Sequence, residues 1–399
     1  MSQTEVQLIK NGAVVDADIN GMSSSKLSGA LPAISGASLT NLPTPTGKTR
    51  NLVINGAMQV AQRGTSSTTN NGYYTIDRIK QYYQDLDEAP TFSQSDVASG
   101  TTPYTLGFRK SYKLTNGNQT GGAGTGDRCR LQVNIEAQDI ANSGWNYKSS
   151  SSFITLSFWV KSSVAQNFFG SIRTPDGTSQ GYSFETGSLT ADTWTKITKT
   201  IPGNSNLTFN NDAELGWNMD IAQFIGTDRT SSGNTMNQWA AYDSNNVMPD
   251  NTGTWYTTNG ATWEITGIQL EVGDTATSFE HRSFGEELYR CQRYYFKFCE
   301  GNNKEINVAW YFTSSHISFF IRYPTTMRAA PTLSITTGTN YYILYRNGGN
   351  DQFDGFASEF ISTEQMSCFR NSQVSGTAGQ AGILRTYNSA AKVEISAEL

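Results

Sequence analysis

Charge is scarce in this 399-residue chain: Asp, Glu, Lys and Arg together make up 16 % of it. No run of like charge reads as an interaction tail, and the formal net charge is −5. That balance offers no basic face for a phosphate backbone and argues against nucleic-acid binding. No apolar run approaches about 18 residues, so no membrane insertion is expected. The opening MSQTEVQLIKNG lacks the charged start and apolar core of a signal peptide, and synthesis in a reducing cytoplasm is expected. Cys129, Cys291, Cys299 and Cys368 are widely spaced and form no C-x-x-C pair, so they read as free buried thiols. Histidine is rarer still. His281 and His316 are the two present, and neither stands in a metal-ligand spacing. A nucleophilic triad would have to use one of them, yet His281 reads as a structural hydrogen-bonder and His316 as a strand residue.

Aromatics, by contrast, reach 12 %, against a background of Gly, Ser, Thr and Asn. That mixture suits strands joined by polar turns. The first fifty residues stand apart. VQLIKNGAVV reads as a hairpin about Asn11-Gly12, and KLSGALPAISGASLTNLPTPTGK follows with Leu27, Leu31, Ile34, Leu39 and Leu42 as spaced apolar anchors. Pro32, Pro43 and Pro45 exclude a long helix there. One copy of such a segment has too little chain around it to bury its anchors, so residues 1–48 are expected to pack against copies of themselves.

From Asn51 to about Arg282 the period is two. RLQVNIEA places Leu131, Val133, Ile135 and Ala137 on one face, and ITLSFWVK does the same with Ile154, Leu156, Phe158 and Val160. WTKITKTI and ELGWNMDI repeat the pattern, with turn clusters TPDGTSQG and PGNSN between. Antiparallel strands with short turns imply a β-sandwich over 49–282. In ITGIQLEVGDTATSFEHRSFGEELYRCQRYYFK (Ile265–Lys297) the apolar parity switches at Gly267, which predicts a β-bulge at Thr266-Gly267. Ser283 and Glu286 form a capping box, Glu286 and Arg290 an i, i+4 pair, and Leu288, Cys291 and Tyr295 a buried stripe. The short helix is read as a hinge. Beyond it HISFFIRYP and the last residues, KVEISAEL, return to period two, giving a smaller β domain within 283–399 whose end is locked into a sheet or an interface.

NLVINGAMQVAQRG (Asn51–Gly64), GYYTIDRI (Gly72–Ile79) and Ile265–Lys297 resemble tail-fibre and related receptor-binding proteins of bacteriophages. LPAISGASLTNL resembles the shaft or attachment phrases of that family, and TMRAAPTL (Thr326–Leu333) with the terminal AEL its distal domain. The resemblance implies a homotrimer, a jelly-roll middle domain similar to carbohydrate-binding modules, and attachment to other virion proteins through the N-terminus. It leaves open whether the fibre sits on tail or capsid.

Several motifs fail on inspection. TPTGKT (Thr44–Thr49) has Leu42 where a phosphate-binding loop needs its first glycine, and GGAGTG (Gly121–Gly126) precedes a strand, not a helix. Glu264, Glu271 and Asp220 are candidate carboxylates for glycoside hydrolysis, though Glu264 and Glu271, on a core strand, read as partners for backbone, arginine or a structural cation. A structural Ca²⁺ has no aspartate-rich loop to mark it, and no other cofactor is expected. The positive signal lies between Gly226 and Gly260, a long connection carrying Trp239, Tyr242, Trp255 and Tyr256 with Asp243, Asn245, Asn246 and Asp250 close by. Flat rings stack on the C–H face of a sugar while amides and carboxylates bind its hydroxyl rim; equally, the same rings can pin the loop to the sandwich or to a neighbouring subunit. A second candidate surface is YYILYRNGGNDQFDGF (Tyr341–Phe356), which also reads as a plain hairpin with partly buried tyrosines. The expectation is a mainly β, non-enzymatic virion fibre that adheres to host surface polysaccharide or lipopolysaccharide. A decoration fibre of capsid or tail, and an envelope polysaccharide depolymerase, are its rivals.

Overall fold

The computed structural model describes residues 50–399. The expected N-terminal arm, with Leu27, Leu31, Ile34, Leu39 and Leu42, lies outside the described residues, as does the hairpin about Asn11-Gly12. Alternating side chains build the first part of the structure from β1 (Ser66–Ser67), β2 (Ile79–Gln84), β3 (Thr91–Asp96) and β4 (Lys110–Thr115). Then come β5 (Arg128–Glu136), β6 (Phe153–Ser162), β7 (Asn167–Thr174) and β8 (Gln180–Ser188). The set closes with β9 (Thr195–Pro202), β10 (Leu215–Ile225), β11 (Trp239–Ala241) and β12 (Thr262–Val272). They form two six-stranded sheets, ordered β1-β3-β4-β12-β6-β9 and β11-β8-β7-β10-β5-β2. Within these, β4-β12-β6-β9 opposes β5-β10-β7-β8, and apart from the β7–β8 hairpin each successive strand of the eight crosses to the other sheet. That is the strand order of a jelly roll.

The inward faces match the sequence pattern. Leu131, Val133 and Ile135 of β5 meet Ile154, Leu156, Phe158 and Val160 of β6 in one core, with Trp217, Met219 and Ile221 of β10. On β12 the pairing with β6 slips between Thr266 and Gln269, so Trp263 and Ile265 before the slip and Ile268 and Leu270 after it all point inward. The expected bulge is present. Its glycine is required twice over: Gly267 has φ +67°, and a Cβ there would lie 2.6 Å from Cζ of Phe108. Val272, placed with the core set by parity, is instead exposed at the strand's end.

The helix Phe284–Gln292 is capped as the sequence implies, with Ser283 Oγ accepting from the Glu286 amide at 3.2 Å and Arg290 reaching Glu286 at 3.2 Å. Its buried stripe differs from the expected one. Cys291 is buried, but Leu288 is half-buried, Tyr295 opens the next strand, and Glu287 turns inward to accept from the Asn55 amide and from Arg282. All four cysteines are free thiols.

After the helix the chain continues through β13 (Tyr295–Glu300), β14 (Glu305–Thr313), β15 (His316–Arg322), β16 (Thr332–Ile335) and β17 (Tyr342–Arg346). It ends with β18 (Gly349–Phe353), β19 (Ala357–Glu359), β20 (Gln365–Arg370), β21 (Ala381–Thr386) and β22 (Lys392–Ser396). A three-stranded sheet, β13-β22-β16, and a seven-stranded one, β18-β17-β21-β14-β15-β20-β19, enclose a second core around Tyr311, Phe319, Tyr342, Leu344, Val393 and Ile395.

The two cores are bolted together, and the described residues cluster as one compact unit. The Glu136 carboxylate at the end of β5 receives Arg293 through Nε and Nη2, each at 2.8 Å, and the hydroxyl of Tyr294. Arg328 donates to the carbonyls of Ala213, Ala397 and Glu398, while Tyr73 and Asn134 both donate to the Leu399 oxygen. The helix is therefore part of a fixed joint and not a hinge: a hinge needs backbone free of such cross-bracing. Burial pushes the Glu136 carboxyl up, but the hydrogen bonds from Arg293 and Tyr294 outweigh it and hold the group below the usual carboxylate range. Its contribution to stability is thus complete above the ordinary carboxylate pKa and is lost as pH falls through the lowered folded value. Glu136→Gln is expected to cost about 3 kcal/mol at neutral pH, since it leaves buried donors without their charge partner. Urea unfolding between about pH 5 and 3 should show a shallower acid loss in the variant than in the parent.

Candidate functional site

The connection from β10 to β12 lies over the outer face of the second sheet. Its middle forms β11, which adds to the sheet edge by pairing Trp239 with Tyr182, Ala240 with Gly181 and Ala241 with Gln180. Two isolated parallel bridges, Ser183 to Met236 and Thr230 to Met248, fasten its flanks. Beneath it Met248 closes a small apolar cluster with Ala222 and Ile225, against Phe169 and Val247. Burial of these side chains explains why so polar a segment keeps a defined course.

This course separates the eight loop residues singled out from the sequence. Trp255 and Tyr256 are core residues, at 0 % and 1 % exposure. Trp255 Nε1 donates to the Thr262 carbonyl at 3.0 Å, and the Tyr256 ring stacks on Phe224 with centroids 4.1 Å apart while its hydroxyl donates to Asp127. Burial, with Asp127 alongside, pushes that phenol far above its usual range. Neither ring meets solvent, so their assignment to sugar contact is corrected: they anchor the loop. Trp239 is half-buried and plugs the sandwich edge, its Nε1 donating to the Pro202 carbonyl at 2.7 Å and its ring 5.2 Å from Tyr182. Asp250 accepts from Thr230 at 2.7 Å and staples the loop to itself.

The other four lie together at the surface. Tyr242, Asp243 and Asn246 line a cavity of about 80 Å³ with Asn234, Gln238 and the outward-facing Ser171 and Ser183. Asn245 is exposed beside it, its amide donating to Asp243 Oδ1 at 2.9 Å. The Arg173 guanidinium sits 4.4 Å over the Tyr242 ring and braces it. Asn234 donates to Asn246 Oδ1 at 2.9 Å, but its own Oδ1 is buried without a hydrogen-bond partner among the described residues. An orphaned buried acceptor is costly unless a donor reaches it. The cavity therefore combines one aromatic wall, a carboxylate, amides and two hydroxyls, functional groups of the kind that a sugar's hydroxyl rim requires.

The other candidates are structural in their surroundings. Glu264 pairs with Lys161 at 2.9 Å and accepts from Ser111, Glu271 accepts from Thr277 and Gln269, and Asp220 receives Arg130 at 2.6 Å and Gln132 at 2.7 Å. His281 Nε2 lies 2.8 Å from the Leu106 carbonyl, and His316 stacks on Phe369. Among the described residues no group of three His, Cys, Asp or Glu side chains is placed to hold a metal. Tyr341–Phe356 contains the β17–β18 hairpin, with Tyr342 packed on Phe353 and Phe356, as its plain reading implies. Sequence reasoning missed Trp159, which stands on the outward parity of β6 and lines a larger hollow on the first sheet. The signal was available: a tryptophan on the polar half of an alternating strand.

No protein-family model matches the chain, and no curated protein does. Among solved structures it is similar to the enzymatically active domain of tailspike protein 4 from bacteriophage CBA120, at 13 % identity over 56 % of this chain and 21 % of that one, with a TM-score of 0.29. It is also similar to a CBM4 structure, at 12 % identity over 55 % of this chain and 99 % of that one, with a TM-score of 0.27. A third is the N-terminal cellulose-binding domain of a Cellulomonas fimi β-1,4-glucanase C, at 7 % identity over 55 % of this chain and 99 % of that one, with a TM-score of 0.26. The chain thus spans about a fifth of the tailspike's length.

Because Tyr256 works from the core, Tyr256→Phe should lower stability by about 1–2 kcal/mol, leaving Asp127 without that donor. Saccharide titrations of the same variant should match the parent. Weakened binding with unchanged unfolding would return Tyr256 to the binding surface.

Proposed function

We propose that the protein is a non-enzymatic fibre protein of a phage virion, a tail fibre that adheres to polysaccharide or lipopolysaccharide of the host surface. The observation that carries this reading is the loop cavity, where Tyr242, Asp243 and Asn246 converge with Asn234 and Gln238. The Tyr242 ring supplies the plate for a C–H face, and Asp243, Asn246 and Gln238 supply polar partners for a saccharide's hydroxyls. The scaffold is rigid, since β11 and the Met248 cluster fix the loop before any ligand arrives, so little ordering entropy opposes binding.

The virion setting rests on the resemblance of Asn51–Gly64 and Ile265–Lys297 to phage fibre proteins. Homotrimerisation rests on the same resemblance and on the spaced anchors Leu27, Leu31, Ile34, Leu39 and Leu42. It is supported by Val308, Phe312, Phe320 and Ile383, which leave the outer face of the seven-stranded sheet apolar in a single copy. Three copies turn a weak single contact into firm adhesion, because each later contact forms at high effective concentration. The non-enzymatic reading is supported by the fixed partners of Glu264, Glu271 and Asp220, since an acid or base that shuttles protons must be free to change its own.

The double change Tyr242→Ala and Asn246→Ala should weaken adsorption to host cells, and binding on an array of bacterial surface glycans, by about tenfold or more. Light scattering should still report a trimer, and unfolding should be little changed. Undiminished binding would remove this cavity as the receptor site, and shortening of host polysaccharide on incubation with the protein would replace adhesion with depolymerisation.

A further inference from the structure

On the far side of the sandwich from the loop cavity, the outer face of the first sheet carries a hollow of about 290 Å³. Its floor is a cross-strand pair, Trp159 of β6 beside Lys196 of β9. Its wall is Phe108, Phe279 and His281. The bulge on β12 makes this wall: with no side chain at Gly267, the Phe108 ring drops into the gap. Phe279 then meets it edge-on at 4.9 Å, and His281 packs at 5.1 Å with Nε2 held 2.8 Å from the Leu106 carbonyl. The rings are locked by one another and by the backbone, so the hollow is built without a ligand.

We propose that this hollow binds an acidic sugar unit, with the ring face on Trp159 and the carboxylate toward Lys196. Charge selects the class. No Asp or Glu lines the hollow, and Lys196 is exposed and has no ion-pair partner among the described residues. One row away on the same face, Lys161 is already matched by Glu264 at 2.9 Å. A solvated lysine alone would mean nothing; a lysine beside a half-buried indole in an acid-free hollow offers the two contacts that a uronate or sialate presents together, an apolar C–H face and a carboxylate. Ser157 and Ser278 add hydroxyls at the edges. The volume sits at the small end of ligand pockets, which suits about one sugar ring. A polyanion such as nucleic acid would need a longer basic track, whereas Lys196 is, among the described residues, the one lysine or arginine that lines the hollow. The inference shares the glycan-binding character of the reading above but uses the opposite face of the sandwich, so the two stand or fall separately.

The test titrates the full chain with galacturonate, hyaluronate and sialyl oligosaccharides, and with neutral galactose oligomers of matched length, reading tryptophan fluorescence and calorimetry. The parent should bind at least one acidic oligomer more tightly than its neutral counterpart, with an affinity that falls as salt rises. Lys196→Glu, on an exposed position that disturbs no packing, should weaken that binding by about tenfold or more, as loss and reversal of a charge-assisted contact require. Trp159→Ala should abolish both the binding and its fluorescence change. Tyr242→Ala should leave acidic binding intact. Failure of every acidic oligomer to bind, equal affinity for acidic and neutral forms, or undiminished binding by Lys196→Glu would each overturn the proposal. Loss of binding in Tyr242→Ala alone would move the acidic ligand to the loop cavity and overturn it as well.

Discussion

The carboxylate of Glu136 holds the described structure together. It has no exposure to solvent at the end of β5 and would be untenable there without compensation. The Arg293 fork and the Tyr294 hydroxyl provide it, and both come from the chain just after the helix. One residue of the sandwich therefore tethers the start of the second β region, while Arg328, Tyr73 and Asn134 brace its end. Everything downstream inherits that placement, down to the last residues, where Arg78 and Arg63 pair with Glu398 and Tyr73 meets Leu399. Buried charge of this kind adds little net stability against an apolar alternative, but it tolerates one arrangement of partners and so fixes orientation.

For the adhesive role proposed above, orientation matters more than it would for a flexible tether. A joint that cannot swing keeps the loop cavity and the hollow at Trp159 at constant positions relative to the sheets that follow the helix. In an assembly of several copies, constant positions mean that a second contact forms without a fresh search. The same cross-bracing explains why the short helix has a charged residue, Glu287, on its inner side: it faces backbone amide and arginine, not a hydrophobic core.

The strands were legible because a period of two leaves little freedom. Leu131 to Ile135 and Ile154 to Val160 point where their parity sends them, and the parity break at Gly267 could be resolved in one way that kept both halves of β12 buried. The helix cap was legible for the same local reason. The loop was not. Between Ile225 and Thr262 no period assigns an inside, so Trp255 and Tyr256 counted as surface candidates although each has a buried polar partner waiting, in the Thr262 carbonyl and Asp127. Those partners are 7 and 129 residues away, and no local rule reveals the second. Trp159 failed in the opposite sense. Its parity is plain in ITLSFWVK, but an indole on the outward half carries no local sign of the hollow that it lines.

The loop cavity and the hollow at Trp159 follow one structural logic. Each sheet of a sandwich offers an outer face whose polar half of the alternation is free for recognition, because the inner half alone stabilises the fold. The second sheet is roofed by an inserted loop that leaves a small, amide-lined cavity. The first is deepened by a bulge that trades one side chain for the room a phenylalanine needs. In both cases the irregularity in the strand pattern, an added edge strand or a register slip, creates the concavity. A perfectly regular sandwich would present flat faces, and a flat face gives a single sugar ring too few contacts to outweigh the loss of its motion.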